Sequence, residues 1–267
     1  MEGEQILGKE PREGEMIETA NKTVKELAVQ IPGAARVFES FGIDYCCGGN
    51  VPLSEACAHA ALRLDEVLAS LEKAQRAPAP ANDWGRAPLA ALAQHIVEKH
   101  HSFTAAETTR LEALFVKVCG AHGERHQELH AMQAKFTEMA NELRMHMMKE
   151  ENILFPYLAA MERAVSEKKP VPRAMFGSVE NPVRTMMQEH DSAGEALRAL
   201  REASHSYAVP EDACPSYREL YKSLEAFEAD LHTHVHLENN ILFPRALEME
   251  KAAVKAAAAL RSARGTA

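Results

Sequence analysis

Aromatic side chains are scarce in this chain, at 6% of 267 residues with a single Trp. Alternating runs of β-branched residues are also few, which argues against a sheet. No long Lys/Arg run occurs and the formal net charge is −9, so a basic nucleic-acid groove is excluded. The apolar stretches are short and broken by charge, so none reads as a membrane span. The N-terminus, Met1-Glu2-Gly3-Glu4, lacks the basic-then-apolar layout of an export signal, and a cytoplasmic location is expected. Cysteines number five, Cys46, Cys47, Cys57, Cys119 and Cys214. An odd, scattered set argues against a disulfide framework.

What remains is abundant Ala, Leu, Met, Glu and Lys, with apolar residues at 46% and charged residues at 26%. That mixture favours helix, and the fold class expected is all-α. Residues 1 to about 15 read as a loose leader. Short helices are expected over Thr23–Gln30, Ala34–Phe41, Leu53–Ala61 and Leu64–Gln75, with Pro32 and Gly42 as stops. Between them lies Asp44-Tyr45-Cys46-Cys47-Gly48-Gly49-Asn50, a turn-rich loop. Ala77-Pro78-Ala79-Pro80-Ala81-Asn82 reads as an extended linker, placing a boundary near residue 80. Four long segments follow, about Pro88–Cys119, Gln127–Val165, Asn181–His205 and Cys214–Met249. Short connections make an antiparallel four-helix bundle the expected architecture over 81–250. An Ala-rich tail, 251–267, either extends the last helix or frays.

Two stretches of the bundle repeat each other: His146-Met-Met-Lys-Glu150-Glu-Asn-Ile-Leu-Phe-Pro156 and His234-Val-His-Leu-Glu238-Asn-Asn-Ile-Leu-Phe-Pro244. Each has the form His-x-x-x-Glu-x-x-Ile-Leu-Phe-Pro, so the bundle reads as a duplicated helical hairpin. Residues four apart share a helix face, and each motif therefore presents an imidazole beside a carboxylate. A lone surface pair of this kind contributes only a few tenths of a kcal/mol. Duplication inside an identical apolar frame points instead to metal. Imidazole suits iron, zinc and copper, and a carboxylate can bridge two ions.

The other two helices contribute His190 and one of the adjacent His100 and His101. Spacings of 45, 44 and 44 residues separate His101, His146, His190 and His234. Excursions of ~25–30 Å out and back along antiparallel helices return the chain to one height, so four His and two Glu are expected at one level. Aligning His100-His101-Ser102 with His190-Asp191-Ser192 favours His100 as the fourth histidine. Glu142, one turn before His146, and Glu189, directly before His190, are either supports for a ligand or proton relays, or solvated surface carboxylates, which spacing alone does not distinguish. Of the remaining histidines, His95, His122, His126, His130, His205, His232 and His236 are expected to be solvated or outside the ligand set. The Met-rich stretches, including Met145, Met147, Met148, Met186 and Met187, read as core filler.

These motifs, with Asp-Tyr-Cys-Cys-Gly-Gly near the N-terminus, resemble the repair of iron centres family of ScdA and YtfE type. The resemblance runs from about Thr23 to Leu247. It implies a hemerythrin-like bundle preceded by a small helical domain with a Cys-Cys loop. Carried over residue by residue, it implies ligands at His101, His146, Glu150, His190, His234 and Glu238, choosing His101 over His100. It implies two non-haem irons with oxo and carboxylate bridges, functional glutamates at Glu142 and Glu189, and a role for Cys46 and Cys47 in accepting iron, binding cluster fragments or cycling through oxidation.

The function expected is repair of iron–sulfur clusters damaged by nitric oxide or oxidants. The partners expected are the damaged iron–sulfur proteins, nitric oxide or dioxygen, and an electron donor, with a homodimer as one possible assembly. Two other readings stand beside it: reduction of nitric oxide at the di-iron site, and a hemerythrin-like module that senses or stores oxygen, nitric oxide or iron.

Overall fold

The computed structural model describes residues 13–46, 48–77 and 83–265. The chain forms two compact units, Met1–Ala81 and Asn82–Ala267, and among the described residues there is no β-strand.

The smaller unit is built from α1 (Glu13–Asn21), α2 (Val24–Gln30), α3 (Ala34–Phe41), α4 (Leu53–His59) and α5 (Leu64–Gln75). Helix α1 begins inside the stretch expected to be a loose leader. A capping box opens α2: the Thr23 hydroxyl accepts from the Glu26 amide, and the Glu26 carboxylate accepts from the Thr23 amide at 2.9 Å. Gly42 ends α3 at φ +67°, a left-handed turn that suits glycine. Val24, Leu27, Phe38, Tyr45, Leu53 and Leu71 form the core of this unit. The Tyr45 hydroxyl donates to Glu39 at 2.5 Å. Cys46 is buried in the next turn, and both its amide and its thiol face the Asp44 carboxylate. A Cβ on Gly49 would lie 2.9 Å from the Tyr45 carbonyl oxygen, so glycine there is needed for close backbone approach. Cys47 lies outside the described residues, as do Pro78–Asn82 of the expected linker.

The larger unit is a bundle of four rods. The first joins α6 (Leu89–His95) to α7 (Ser102–His122) through a π-helical turn at Ile96–His101. The second joins α8 (Glu128–Lys149) to α9 (Phe155–Ser166) through a π-turn at Glu150–Leu154. The third is α10 (Glu180–Ala203). The fourth joins α11 (Pro215–His236) to α12 (Phe243–Gly265) through a π-turn at Leu237–Leu242. Two of the three π-turns stand immediately before a Phe-Pro step. Proline has no N–H and its ring clashes with the carbonyl four residues earlier, and widening the turn ahead of Pro156 and Pro244 relieves that clash. No proline accounts for the first π-turn.

One half of the bundle interior is filled by Leu92, Ile96, Leu158, Val183, Met186 and Phe243. In the other half, Phe136 packs on Phe115 and Phe227 with ring centroids 5.4 and 5.7 Å apart. A buried polar layer of histidine and glutamate separates the two. The Met expectation is corrected in part: Met147 and Met186 are buried, but Met145, Met148 and Met187 are exposed. Successive helical residues point about 100° apart, so a run of them cannot all face inward. Ile153 is exposed for the same reason, although Leu154 beside it is buried.

Candidate metal centre

The two His-x-x-x-Glu motifs straddle the junctions where α8 and α11 pass into their π-turns, so each His and its Glu point inward together. Six side chains meet in the polar layer: His101, His146, Glu150, His190, His234 and Glu238, none more than 2% exposed. Their donor atoms form two groups, His101–Glu150–His234–Glu238 and His146–Glu150–His190–Glu238, with every atom of a group within 4.8 Å of the others. Both carboxylates belong to both groups. The four imidazoles meet in pairs, with Nε2 atoms 3.1 Å apart for His101 and His234 and 3.0 Å apart for His190 and His146. Glu150 Oε2 lies 3.2 Å from His146 Nε2 and 3.4 Å from His101 Nε2. Glu238 reaches His234 Nε2 at 3.0 Å through Oε1 and His190 Nε2 at 3.1 Å through Oε2.

The groups around this layer fix the ring orientations. His101 Nδ1 lies 2.8 Å from Glu151, His146 Nδ1 2.8 Å from Glu189, and His190 Nδ1 2.8 Å from the Asn239 oxygen. An Nδ1–H donated outward leaves Nε2 directed at the centre, the usual support for a metal-binding histidine. Lys149 in turn pairs with Glu189. Phe155 stacks on His101 and Phe243 on His190, at 5.8 and 6.1 Å between centroids. The Phe of each Ile-Leu-Phe-Pro motif thus covers an imidazole from a neighbouring rod and keeps water from that side.

Charge is concentrated here. Burial opposes the charge on His101, but the Glu150 and Glu238 carboxylates outweigh it and raise that imidazole to about 10. His146 is likewise raised to about 10, burial being overcome by Glu150, Glu189 and Glu238. Burial depresses His234 despite its contact with Glu238. Burial pushes Glu238 up, but His234, His101 and His190 hold it well below the usual carboxylate range. Glu189 is held at about 2 by hydrogen bonding from His146, assisted by Lys149. The layer therefore contains anionic carboxylates matched by protons on His101 and His146, one in each group.

The donor set fits a pair of cations. Glu150 Oε1 and His234 Nδ1 are buried without a hydrogen-bond partner. A buried polar atom left without a partner costs about 1–3 kcal/mol, and a bound cation would supply the missing partner. Four imidazoles and two shared carboxylates, without thiolate, suit ions such as iron, manganese or zinc.

Of the residues singled out from sequence, His101 lies in this cluster and His100 does not. His100 turns to Asp230, with Nδ1 3.0 Å from its carboxylate, and stacks face to face on His234 at 5.8 Å. The alignment on Ser102 and Ser192 is one residue out of register, because a π-turn ends at His101 and shifts the helix face. Glu189 contacts His146. Glu142 does not reach the cluster: it is exposed in a groove between α8 and α10 with Glu138, Ser192 and Glu195. Glu151 and Asn239 escaped sequence reasoning. Both directly follow the motif glutamate, and each supports a histidine on another rod, so the repeat itself was the available signal. His236, expected to be solvated or to lie just outside the ligand set, is buried and bonded to Asn240 at 2.8 Å. Its rod is covered by α6 and the first π-turn as well. His122 is buried too.

Comparison with known proteins agrees with this geometry. A family model described as the hemerythrin HHE cation binding domain matches residues 92–246. The ScdA N-terminal model, described as a domain of unknown function (DUF542), matches residues 20–75. An "Iron-sulfur cluster repair protein YtfE" from Pectobacterium carotovorum is 36% identical over 86% of this chain and 98% of its own length. A "Probable iron-sulfur cluster repair protein" from Haemophilus influenzae is 36% identical over 85% of this chain and 97% of its own. YtfE of Yersinia pseudotuberculosis is 34% identical over 86% and 98%. With its hemerythrin HHE bundle and ScdA-type N-terminal unit, the chain belongs to the YtfE-type family of iron–sulfur cluster repair proteins.

Proposed function

We propose that the bundle holds two irons and that the protein uses them to restore damaged iron–sulfur clusters, by supplying or mobilising iron. His101 and His234 would hold one ion and His146 and His190 the other, with Glu150 and Glu238 available to both. The observation that carries this reading is the sharing of both carboxylates between the two four-residue groups. Bridging carboxylates and terminal imidazoles are the donors used by di-iron proteins of bundle architecture.

When bound, the iron pair supplies exchangeable, redox-active metal, held by donors less retentive than a thiolate cage. The chain's own residues govern its exchange. In the metal-free protein the Nε2 protons of His101 and His146 neutralise the carboxylates, and they leave as metal enters. Glu151, Glu189 and Asn239 retain the Nδ1 protons and keep the rings aimed. Phe155 and Phe243 exclude water. Cys46 and Cys47 would offer thiolate, the softer ligand, to iron or cluster fragments at the client.

The test is restoration of a nitric oxide-damaged cluster in a client iron–sulfur protein. Wild type is expected to restore it, and Glu150→Ala/Glu238→Ala is expected to fail. Cys46→Ala/Cys47→Ala with its iron intact is expected to be impaired. Equal restoration by the cysteine variant would remove the thiols from the account, and equal restoration by the glutamate variant would overturn the reading.

A further inference from the structure

A second cluster of metal-ligating side chains lies at one end of the bundle, away from the polar layer. His101 and His122 are separated by 21 helical residues, roughly 30 Å at 1.5 Å per residue. His122 closes α7, His126 sits in the α7–α8 turn, and Asp212 sits in the connection between α10 and α11. One ring nitrogen of each histidine and one Asp212 oxygen all lie within 4.8 Å of one another.

Three features set this cluster apart from a surface ion pair. First, His122 is only 6% exposed, and its Nδ1 is buried without a hydrogen-bond partner. Second, the His126 ring lies between two carboxylates, with Nδ1 3.2 Å from Glu128 and Nε2 2.9 Å from Asp212 Oδ1. A neutral imidazole has one N–H, so it satisfies only one of them. A metal ion at Nε2 beside Asp212 Oδ1 would satisfy the other. A histidine that donates Nδ1–H to a carboxylate and presents Nε2 beside another ligand has the support expected of a metal site. Third, Arg125 holds the remaining Asp212 oxygen at 3.3 Å, leaving Oδ1 for the ligand position. Tyr217 packs edge-on against both rings, at 5.3 and 5.4 Å, and walls the site. His130 packs where a Cβ on Gly123 would stand, which brings a third imidazole to the same turn.

We propose that His122, His126 and Asp212 form a second metal site, binding one zinc-like divalent transition ion apart from the iron pair. Two imidazoles and one carboxylate match the donors of zinc and leave a fourth position open. Magnesium and calcium prefer all-oxygen sites. The ion ties the α7–α8 turn to the α10–α11 connection and closes the bundle end. Three consecutive left-handed residues, His205, Ser206 and Tyr207, shape that connection, and buried Tyr207 anchors it.

Iron-loaded protein is dialysed against micromolar Zn²⁺, and separately Co²⁺, with iron and added metal counted in the same sample. Wild type is expected to take up one ion beyond its iron, and Co²⁺ should give the visible bands of a nitrogen- and oxygen-ligated site. Zn²⁺ should also raise the Tm. His126→Ala and Asp212→Asn, which alter partly exposed side chains, are expected to weaken uptake by about tenfold or more, with iron content and helical circular dichroism unchanged. Uptake by both variants equal to wild type, or no extra ion in wild type, would overturn the proposal.

Discussion

Replacing Glu189 with Gln should distinguish a group that supports the metal centre from one that merely lies nearby. The Glu189 carboxylate accepts the Nδ1 proton of His146 at 2.8 Å and pairs with Lys149. Glutamine keeps similar volume and an acceptor oxygen but loses the charge that both partners need. Loss of such a support typically lowers metal affinity 10- to 100-fold, or about 1.4–2.7 kcal/mol. Glu142→Gln is the control. Glu142 is exposed and its structure shows it lining the α8–α10 groove, away from His146, so affinity should change less than about twofold, within the range of surface substitutions. Anaerobic competition against a chelator measures both. An effect of Glu142→Gln equal to or larger than that of Glu189→Gln would refute the assignment of support to Glu189.

Three further outcomes follow from the same geometry. His101 and His146 are raised to about 10 in the metal-free protein, against about 6.5 unfolded. Native protein then binds more protons than unfolded protein between these values, so their stabilisation is full below about pH 6.5 and lost as pH rises through 10. Urea unfolding of metal-free protein should show this decline, and a flat profile from pH 7 to 10 would contradict it. Iron uptake at neutral pH should release about two protons per iron pair, measurable in a weakly buffered indicator dye. Gly49→Ala should destabilise the N-terminal unit by about 1–3 kcal/mol through overpacking, since the new Cβ meets the Tyr45 carbonyl at 2.9 Å. A melting profile unchanged from wild type would show that the loop yields instead.

Much of the fold was legible because helix signals are local. Gly42 closes α3 and Gln75 ends α5 as the spacing indicates, and the first three long rods begin and end within a few residues of their expected bounds, while the fourth runs past Met249 through the Ala-rich tail to Gly265. The motif repeat and the near-equal histidine spacings pointed to a common polar layer for the same reason. What sequence could not show were the π-turns, which shift the helix face by one residue and decide between His100 and His101. Burial of His100, His122 and His236 also escaped it, because it depends on which neighbouring rods cover each face. Glu151 and Asn239 act across rods, a relation that periodicity along one helix does not report. Helix α1 was missed because its acidic, Gly-containing sequence carries little helical periodicity.

The most direct test of the shared-carboxylate account is the metal content of anaerobically purified wild type, Glu150→Ala and Glu238→Ala. The account predicts two irons per chain in wild type, one for each four-residue group, and loss of both when either bridging glutamate is removed. One metal or none in wild type, zinc in place of iron, or two irons retained by either variant would contradict it.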